Sequence, residues 1–359
     1  MRFSSIIRDD CARICRRLGA TLNAIAGDTL LITGANGFLC SYIVDVLAHW
    51  NETASSPCRI IAVDNMITGV PTRLAHLADR PDVVFVEHDV TQALPKELRA
   101  NWLIHGASIA SPTFYRKFPL ETVDANVQGT RQILDSARHA AAKGVLLLSS
   151  SEIYGDPGIE QIPTPENYRG NVSSFGPRAC YDESKRLAET LGYIYSVYHG
   201  VPIVIVRPFN VFGPGQRLDD QRIIPDVMAA AVNRRPIRLL SEGTATRSFC
   251  YISDFIFGLL ALLVDDRSKG EVYNLGNDEI EISMHDLARR MCSVSESVYG
   301  EPVLTIEHAV SQDKNYTADN PQRRCPDLRK VRATIGYAPE VGLDEGLRRT
   351  LMSHLEVRA

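Results

Sequence analysis

The sequence lacks three features that would each point to a particular class of protein: paired cysteines, a long apolar run and an excess of basic residues. Its eight cysteines are scattered and none forms a Cys-x-x-Cys pair, so we expect reduced thiols in a cytoplasmic protein, with neither disulfides nor a metal site. No stretch is apolar for long enough to span a membrane, and charged residues between Arg8 and Arg17 interrupt any secretion signal. The 39 basic and 43 acidic residues give a net charge of -4, which argues against a nucleic-acid partner.

The composition that remains is that of an ordinary globular enzyme or binding protein, with 359 residues of which 45% are apolar. Residues 3–22 have apolar side chains at mostly three- and four-residue intervals, which predicts an amphipathic helix within an N-terminal extension over 1–27. We expect this helix to dock on the domain surface; a membrane-surface or dimer-forming role is the weaker alternative.

From Thr29 onward, short continuous apolar runs alternate with helical patterns, as in a parallel sheet covered on both faces. The predicted strands are Leu30–Thr33, Ile60–Val63, Val83–Val86, Leu103–His105, Val145–Leu148 and Ile203–Val206. The predicted helices are 38–50, 71–79, 121–142 and 183–199. The pattern predicts an α/β fold with a doubly wound parallel (Rossmann) sheet over 28–208, completed from within 245–280, and a smaller substrate-binding lobe mainly over 209–359.

A glycine-containing turn follows the first strand and opens a helix, in the segment Thr33 to Cys40. Gly34 permits a tight turn, and Gly37 lets the backbone approach a pyrophosphate at the helix N-terminus, where unpaired N–H groups favour anions. The second strand ends at Asp64, whose carboxylate is suited to accept the ribose hydroxyls of NAD and to repel the extra phosphate of NADP. The sequence therefore predicts NAD as cofactor.

Tyr181 and Lys185 lie four residues apart, on one face of a helical run. A tyrosine phenol is a poor base near neutral pH, but a nearby ammonium group and an oxidised nicotinamide both favour the phenolate. Ser150 follows the fifth strand, where it is placed to hydrogen-bond a reacting hydroxyl and to align it with Tyr181. The three residues predict proton abstraction from a substrate hydroxyl coupled to hydride transfer.

The segment from Thr33 to Cys40 is similar to the TGxxGxxG fingerprint of the extended short-chain dehydrogenase/reductase family, except that Cys40 occupies the position of the third glycine. His88-Asp89-Val90 resembles the family's adenine-contacting turn, and Gly106-Ala107-Ser108 resembles the strand end beside the nicotinamide ribose. The cofactor-binding residues implied by the resemblance are Gly34, Asn36, Gly37, Phe38, Leu39, Asp64, Asn65, Asp89, Val90, Ala107, Ser108, Tyr181 and Lys185.

Within that family, the run Ser151 to Pro157 and the run Gly176 to Arg186 resemble the UDP-glucuronate decarboxylase branch, as does the ASPxxY-like segment Ala110 to Tyr115. The resemblance covers about Thr29 to Arg348 and implies a homodimer through the helices at 121–142 and 183–199. It implies Glu152 as proton donor at C5 of the sugar and Arg247 as the group that holds the 4-keto intermediate. The substrate-binding residues that it implies are Ser111, Tyr115, Ser151, Asn210, Arg217, Arg222 and Arg247.

Three functions remain open from the sequence: decarboxylation of UDP-glucuronate, another nucleotide-sugar reaction such as 4-epimerisation or 4,6-dehydration, and nucleotide-sugar binding without catalysis. A dehydratase needs a carboxylic acid to protonate the departing C6 hydroxyl, and its relatives carry Asp-Glu where this chain has Ser151-Glu152. Tyr181, Lys185 and Ser150 together argue against a catalytically silent protein. The loop over 213–222 differs from the usual form of the decarboxylase branch, at the place where the resemblance implies that the sugar nucleotide binds.

Overall fold

A computed structural model describes residues 4–309 and 321–358. Its helices are α1 Ser5–Leu18, α2 Phe38–Asn51, α3 Pro112–Lys117, α4 Pro119–Asp124, α5 Thr130–Ala140, α6 Ala179–His199, α7 Ile223–Asn233, α8 Ile252–Val264, α9 Met284–Tyr299, α10 Arg329–Ile335 and α11 Leu343–Arg358. Its strands are β1 Thr29–Thr33, β2 Arg59–Asp64, β3 Val83–Glu87, β4 Trp102–His105, β5 Gly144–Leu148, β6 Ile203–Pro208, β7 Val211–Phe212, β8 Ile237–Leu239, β9 Thr246–Ser248, β10 Cys250–Tyr251, β11 Val272–Leu275, β12 Glu281–Ser283, β13 Ile306–His308 and β14 Arg323–Arg324.

Seven parallel strands form the central sheet, in the order β3-β2-β1-β4-β5-β6-β11. The six strands predicted from apolar runs are all present, and β11 adds a seventh from within the predicted 245–280 range. β1, β4 and β5 are buried almost throughout, because helices cover both faces of the sheet. Strand order reverses between β1 and β4, which places a ligand crevice at the carboxyl ends of these two strands.

Three of the four predicted helices are present, and the fourth prediction is wrong. Helix α2 matches its prediction, α4 and α5 are joined by a π-helical turn over Ala125–Gly129, and α6 begins four residues early, at Ala179. The predicted helix at 71–79 contains only a short 3₁₀ turn, Ala75–Leu77. Side-chain contacts override the weak helical pattern there, since Arg73 forms an ion pair with buried Asp45 of α2 at 2.5 Å.

The predicted N-terminal helix is α1, which docks on the domain and continues into a 3₁₀ helix over Gly19–Ile25; Phe3 lies outside the described residues. Its buried Asp10 accepts hydrogen bonds from Tyr42 of α2 at 2.9 Å and from Tyr251 of β10 at 2.6 Å. Arg349 of α11 completes this buried cluster at 2.7 Å. The extension therefore links the cofactor helix to the C-terminal elements.

The C-terminal part of the chain adds small sheets, of which β12-β9-β14 is the one that matters for the site. β14 pairs in parallel with β9 so that Arg324 lies opposite Arg247. Two arginines that are far apart in sequence are thereby brought onto neighbouring strands. Within the described residues, no helix has both the length and the apolar character that crossing a membrane requires.

Candidate active site

The turn after β1 forms a cradle for a phosphate group. Gly34 has a φ of 69°, and a Cβ at this residue would lie 2.8 Å from the backbone nitrogen of Ala107. Gly37 is the N-cap of α2, and no side chain caps that helix end. The first N–H groups of α2 therefore point toward the crevice, which fits the pyrophosphate of NAD.

Cys40 replaces the glycine that the family fingerprint carries at the helix–strand contact, and Gly106 at the end of β4 accommodates it. A Cβ at Gly106 would lie 2.2 Å from the Cys40 sulfur atom. The small residue is thus on the strand side of the contact instead of the helix side. Close packing between α2 and the sheet is preserved, so the departure at Cys40 leaves the cradle intact.

Asp64 lies at the end of β2 with both carboxylate oxygens oriented by the backbone. Oδ2 accepts a hydrogen bond from the Asn36 amide at 2.9 Å, and Oδ1 accepts one from the Met66 amide at 2.8 Å. Each oxygen keeps a second lone pair, which suits the two hydroxyls of an adenosine ribose. The residues present therefore fit NAD.

The other predicted cofactor residues lie around the same crevice. Asp89 accepts the Thr91 amide hydrogen bond at 2.9 Å, and Val90 is buried against Gly129. The hydroxyl oxygen of Ser108 is buried and has no hydrogen-bond partner among the described residues, as expected of a group that waits for a ligand. The remaining ones lie in the first turn of α2 or after β2: Phe38, Leu39 and Asn65.

We expect the protein to bind NAD more tightly than NADP by at least about tenfold, because a 2′-phosphate would meet the buried Asp64 carboxylate. Asp64→Asn removes the charge and keeps the shape of the side chain, so the dissociation constants of NAD and NADP should become more similar. Titration calorimetry with both cofactors measures these constants, with the exposed Asp79→Asn as matched control. Tighter binding of NADP by the unsubstituted protein would contradict the assignment of Asp64.

At the catalytic end, α6 and the end of β5 bring together the three residues predicted from sequence. Tyr181 is buried in the first turn of α6, and the Ser150 side chain lies near enough to lower the pKa of its phenol. The Lys185 ammonium lies 5.9 Å from the centre of the Tyr181 ring and donates a hydrogen bond to the Leu148 carbonyl at 2.7 Å. The spacing of four residues on one helical face therefore produces the predicted arrangement.

Burial perturbs both titrating groups of this arrangement. It raises the pKa of Tyr181 to about 12, although the Ser150 side chain opposes the rise. It also lowers the pKa of Lys185 to about 8. Without a ligand the phenol is therefore neutral at pH 7, so the tyrosine becomes a useful base when positive charge is held close to it.

Glu152 lies in the 3₁₀ turn Ser151–Tyr154 and is enclosed by two arginines. Arg324 binds both of its oxygens at 2.6 Å, and Arg178 binds one of them at 2.5 Å. The two guanidinium groups hold the pKa of Glu152 well below its usual range despite its burial. Glu152 is therefore ionised at pH 7, and the proton-donor role implied by the resemblance, which requires that this carboxylate first take up a proton, stays a prediction.

Arg247 is buried beside this cluster, and burial and the neighbouring Arg324 lower its pKa. It donates hydrogen bonds to the carbonyls of Thr246 at 2.7 Å and of Pro321 at 2.5 Å. It therefore holds the segment that leads into β14, which carries Arg324. Arg178, Arg247 and Arg324 lie around Glu152, and we call them the arginine cluster. Asp182 lies 3.7 Å from Arg178, so three guanidinium groups face two carboxylates and positive charge is in excess.

Of the predicted sugar-side residues, Tyr115 is in direct contact with Tyr181. The two rings stack with their centres 5.2 Å apart, and the Tyr115 hydroxyl is buried without a hydrogen-bond partner among the described residues. Ser151 is buried at the start of the Glu152 turn. Asn210 has a φ of 40° and donates to the Ser248 carbonyl at 2.9 Å. Tyr115 therefore lies beside Tyr181, and Ser151 lies beside Glu152.

The 213–222 loop carries the other predicted arginines, and each is paired within the loop itself. Arg217 donates two hydrogen bonds to Asp219, at 2.8 Å and 2.6 Å. Arg222 pairs with Asp220, whose backbone carbonyl accepts a hydrogen bond from Ser111 at 3.0 Å. The loop therefore contacts the segment that precedes α3, and its two arginines are partly exposed and keep N–H groups that can bind a diphosphate.

Sequence reasoning missed the roles of Arg178 and Arg324. Arg178 lies in the run Gly176 to Arg186, for which the sequence suggested no role at this residue. Arg324 lies in none of the motifs recognised in the sequence. Asn126, in the π-helical turn, was also missed; it donates to the Ser184 hydroxyl of α6 at 2.9 Å. Arginine immediately before a Tyr-x-x-x-Lys helix was the one local signal available.

Residues 30–276 match the NAD dependent epimerase/dehydratase family. The chain is 39% identical to UDP-glucuronic acid decarboxylase 5 of Arabidopsis thaliana over 318 residues, or 89% of this chain and 86% of that protein. It is 35% identical to UDP-glucuronic acid decarboxylase 1 of Xenopus tropicalis, over 90% of this chain and 71% of that protein. The structure of a UDP-glucuronic acid 4-epimerase from Bacillus cereus, in complex with UDP-glucuronic acid and NAD, superimposes with a TM-score of 0.75 at 25% identity, over 92% of this chain and 99% of that one. The chain therefore belongs to the NAD dependent epimerase/dehydratase family.

Proposed function

We propose that the protein decarboxylates UDP-glucuronate to UDP-xylose through a 4-keto intermediate, with NAD as cofactor. The observation that carries the proposal is the arginine cluster beside Tyr181, since a cluster with more positive than negative charge suits the C6 carboxylate of a uronate sugar. The two relatives described above match most of this chain and are named UDP-glucuronic acid decarboxylases, which supports the same reaction.

The chemistry of the substrate explains why so few catalytic groups suffice. Oxidation at C4 turns the glucuronate into a β-keto acid, from which carbon dioxide departs without an acid catalyst. Departure of carbon dioxide leaves an enolate with negative charge on O4, which preorganised cations stabilise well in a buried site. A proton from water then adds to C5 in place of the lost carboxylate and gives the 4-ketopentose, before C4 is reduced again. Ser151 stands where dehydratases carry an aspartate, so the acid needed for loss of water is missing at that position.

Each residue has a defined task in this proposal. Bound NAD supplies a reversible hydride acceptor for C4 of the sugar. Tyr181 takes the proton from the C4 hydroxyl, which Ser150 holds in line, and returns it when C4 is reduced again. Lys185 supplies positive charge that favours the Tyr181 phenolate. Glu152, ionised between Arg178 and Arg324, orients these two guanidinium groups toward the sugar.

A UDP-glucuronate 4-epimerase is the second candidate, because such an enzyme also needs a carboxylate-binding site and the same tyrosine. The structural similarity to the Bacillus cereus protein favours this alternative. Identification of the product by mass after incubation with UDP-glucuronate and NAD separates the two, since epimerisation conserves the mass and decarboxylation does not.

We expect Arg247→Ala to lower kcat by on the order of 10²-fold, because the arginine supports the transition-state charge and holds the segment leading to Arg324. The dissociation constant for UDP alone should change far less. Steady-state kinetics with UDP-glucuronate and calorimetry with UDP measure both quantities. A raised KM with unchanged kcat would instead assign Arg247 to uniform binding, for example of the phosphates.

We also propose that the protein is a cytoplasmic homodimer that joins through α4, α5 and α6. Free thiols at all eight cysteine positions support the location. The assembly is supported by large apolar side chains that are exposed on these helices: Leu120, Leu187, Tyr193, Val197 and Tyr198.

A further inference from the structure

The face of α6 that carries Tyr181 and Lys185 continues for another turn to Glu189, four residues further on. Glu189 binds the end of β5, as the other two residues do. The Ser149 hydroxyl donates to Glu189 Oε1 at 2.5 Å, next to the Leu148 carbonyl that Lys185 contacts at 2.7 Å. Three successive turns of one helix thus face three consecutive residues at the end of β5, Leu148 to Ser150.

Arg207 at the end of β6 holds Glu189 in this position. It donates from Nε at 2.8 Å and from Nη2 at 2.6 Å, one bond to each carboxylate oxygen. Its Nη1 binds the Tyr154 hydroxyl at 2.6 Å, at the end of the Glu152 turn. The side chains are 8% and 14% exposed, so the pair is largely desolvated and rigid.

We propose that Glu189 is a positioning residue that keeps the Lys185 amine in its charged form and fixes Ser150 opposite Tyr181. The inference rests on the catalytic roles proposed above for Tyr181 and Lys185. Glu189 is then the third functional residue on this face of α6, and it acts without contacting the reacting atoms or the cofactor.

The electrostatics around Lys185 support this role. The titratable groups that face it are Cys40 from α2, His105 from β4, and Tyr181 and Glu189 from its own helix. Burial raises the pKa of Cys40 to about 12 and lowers that of His105 to about 3, so both are neutral at pH 7. Glu189 supplies negative charge and opposes the loss of the Lys185 proton that burial favours.

Distance makes the effect selective between the two catalytic groups. Helical rise separates Glu189 from Lys185 by about 6 Å and from Tyr181 by about 12 Å along the axis. The carboxylate therefore stabilises the ammonium more than it destabilises the phenolate. When the coupled pair loses one proton, the state with charged Lys185 and ionised Tyr181 gains population.

The test is Glu189→Gln, which keeps the shape of the side chain and removes its charge. Lys185 is observed directly by NMR of protein labelled with ¹³C-lysine, since the sequence contains seven lysines and Lys185→Arg identifies the signal. We expect Lys185 to titrate near pH 8 in the unsubstituted protein and at least about one pH unit lower in the variant. The alkaline limb of kcat should move to lower pH with it, and kcat should fall about tenfold.

Glu183→Gln is the matched control: it makes the same substitution on the same helix, in a side chain that is 41% exposed and lies 3.7 Å from Arg186. It should leave the titration and kcat unchanged. Glu189→Asp, which keeps the charge, should restore most of the Lys185 titration. A Glu189→Gln protein with a normal Lys185 titration and a lower melting temperature would overturn the proposal, since a purely structural ion pair predicts that result.

Glu189→Gln leaves the Arg207 charge buried without its partner, which destabilises the fold, so a second variant is needed as well. Glu189→Gln with Arg207→Met removes both charges, and a downward shift of the Lys185 titration is still expected, smaller than in Glu189→Gln because the unpaired Arg207 charge is absent. An unchanged titration overturns the proposal. If the unsubstituted protein does not turn over UDP-glucuronate, the proposed reaction fails. The Lys185 titration still decides the role of Glu189.

Discussion

Replacing Tyr181 with phenylalanine should reduce turnover of UDP-glucuronate by on the order of 10²–10⁴-fold, because it removes the general base and keeps the stacked ring. The loss should leave NAD binding intact, since the phenol hydroxyl contributes little to holding the cofactor. Because burial raises the pKa of Tyr181 to about 12, turnover of the unsubstituted enzyme should rise with pH on the acid side of its profile, as the ionised form becomes more populated. Stopped assays over a pH series, with calorimetry for NAD, measure these quantities.

Tyr193→Phe on the same helix is the control for this substitution. Tyr193 lies twelve residues further along the helix, about 18 Å from Tyr181 along its axis, so loss of its hydroxyl should change neither kcat nor NAD binding. A Tyr181→Phe enzyme with a near-normal rate would remove Tyr181 from the mechanism, and with it the proposed proton path.

Arg324→Ala should lower kcat for UDP-glucuronate by on the order of 10²–10³-fold, the effect typical of removing one preorganised charge from a buried site. It removes both hydrogen bonds that orient Glu152 and leaves this carboxylate with Arg178 alone. The pKa of Glu152 should then rise toward its usual range. Steady-state kinetics with UDP-glucuronate give kcat and KM, and a thermal melt shows whether the fold is kept.

The neighbouring Arg323→Ala is a close control. Arg323 lies on the same strand, but its side chain is 39% exposed and pairs with Glu281 at 2.6 Å. Its removal should change the rate by less than about threefold, as expected for a largely exposed ion pair. Equal losses in the two variants would show that β14 is needed for folding alone, and would remove the arginine cluster from the proposed chemistry.

Local patterns in the sequence were sufficient for the cofactor half of the site. Buried strands read as continuous apolar runs, and a turn between strand and helix has a recognisable glycine spacing, so β1, Gly34 and Gly37 were all predictable. The catalytic helix was predictable for the same reason, since Tyr181 and Lys185 share a face at a spacing of four residues. The helix predicted at 71–79 is wrong because its apolar pattern is short and weak. The segment has a different backbone conformation, in which Arg73 forms an ion pair with Asp45.

The arginine cluster could not be predicted from the sequence, because its members are far apart along the chain. Glu152 and Arg324 are 172 positions apart, and they meet because β14 pairs with β9 in one register. The same holds for Asp10 in α1, whose partners Tyr251 and Arg349 are even more distant in sequence. No spacing rule relates such residues, so the charge state of Glu152 could not be inferred before the pairing of the strands was known.

The most direct test of the proposed function is to incubate the purified protein with UDP-glucuronate carrying ¹³C at C6, together with NAD well below the substrate concentration. Our account predicts release of labelled carbon dioxide and formation of an unlabelled UDP-pentose, with many turnovers for each NAD because the cofactor is reduced and reoxidised within one cycle. Retention of the label in a UDP-hexuronate of unchanged mass but altered configuration at C4 would contradict it and identify an epimerase.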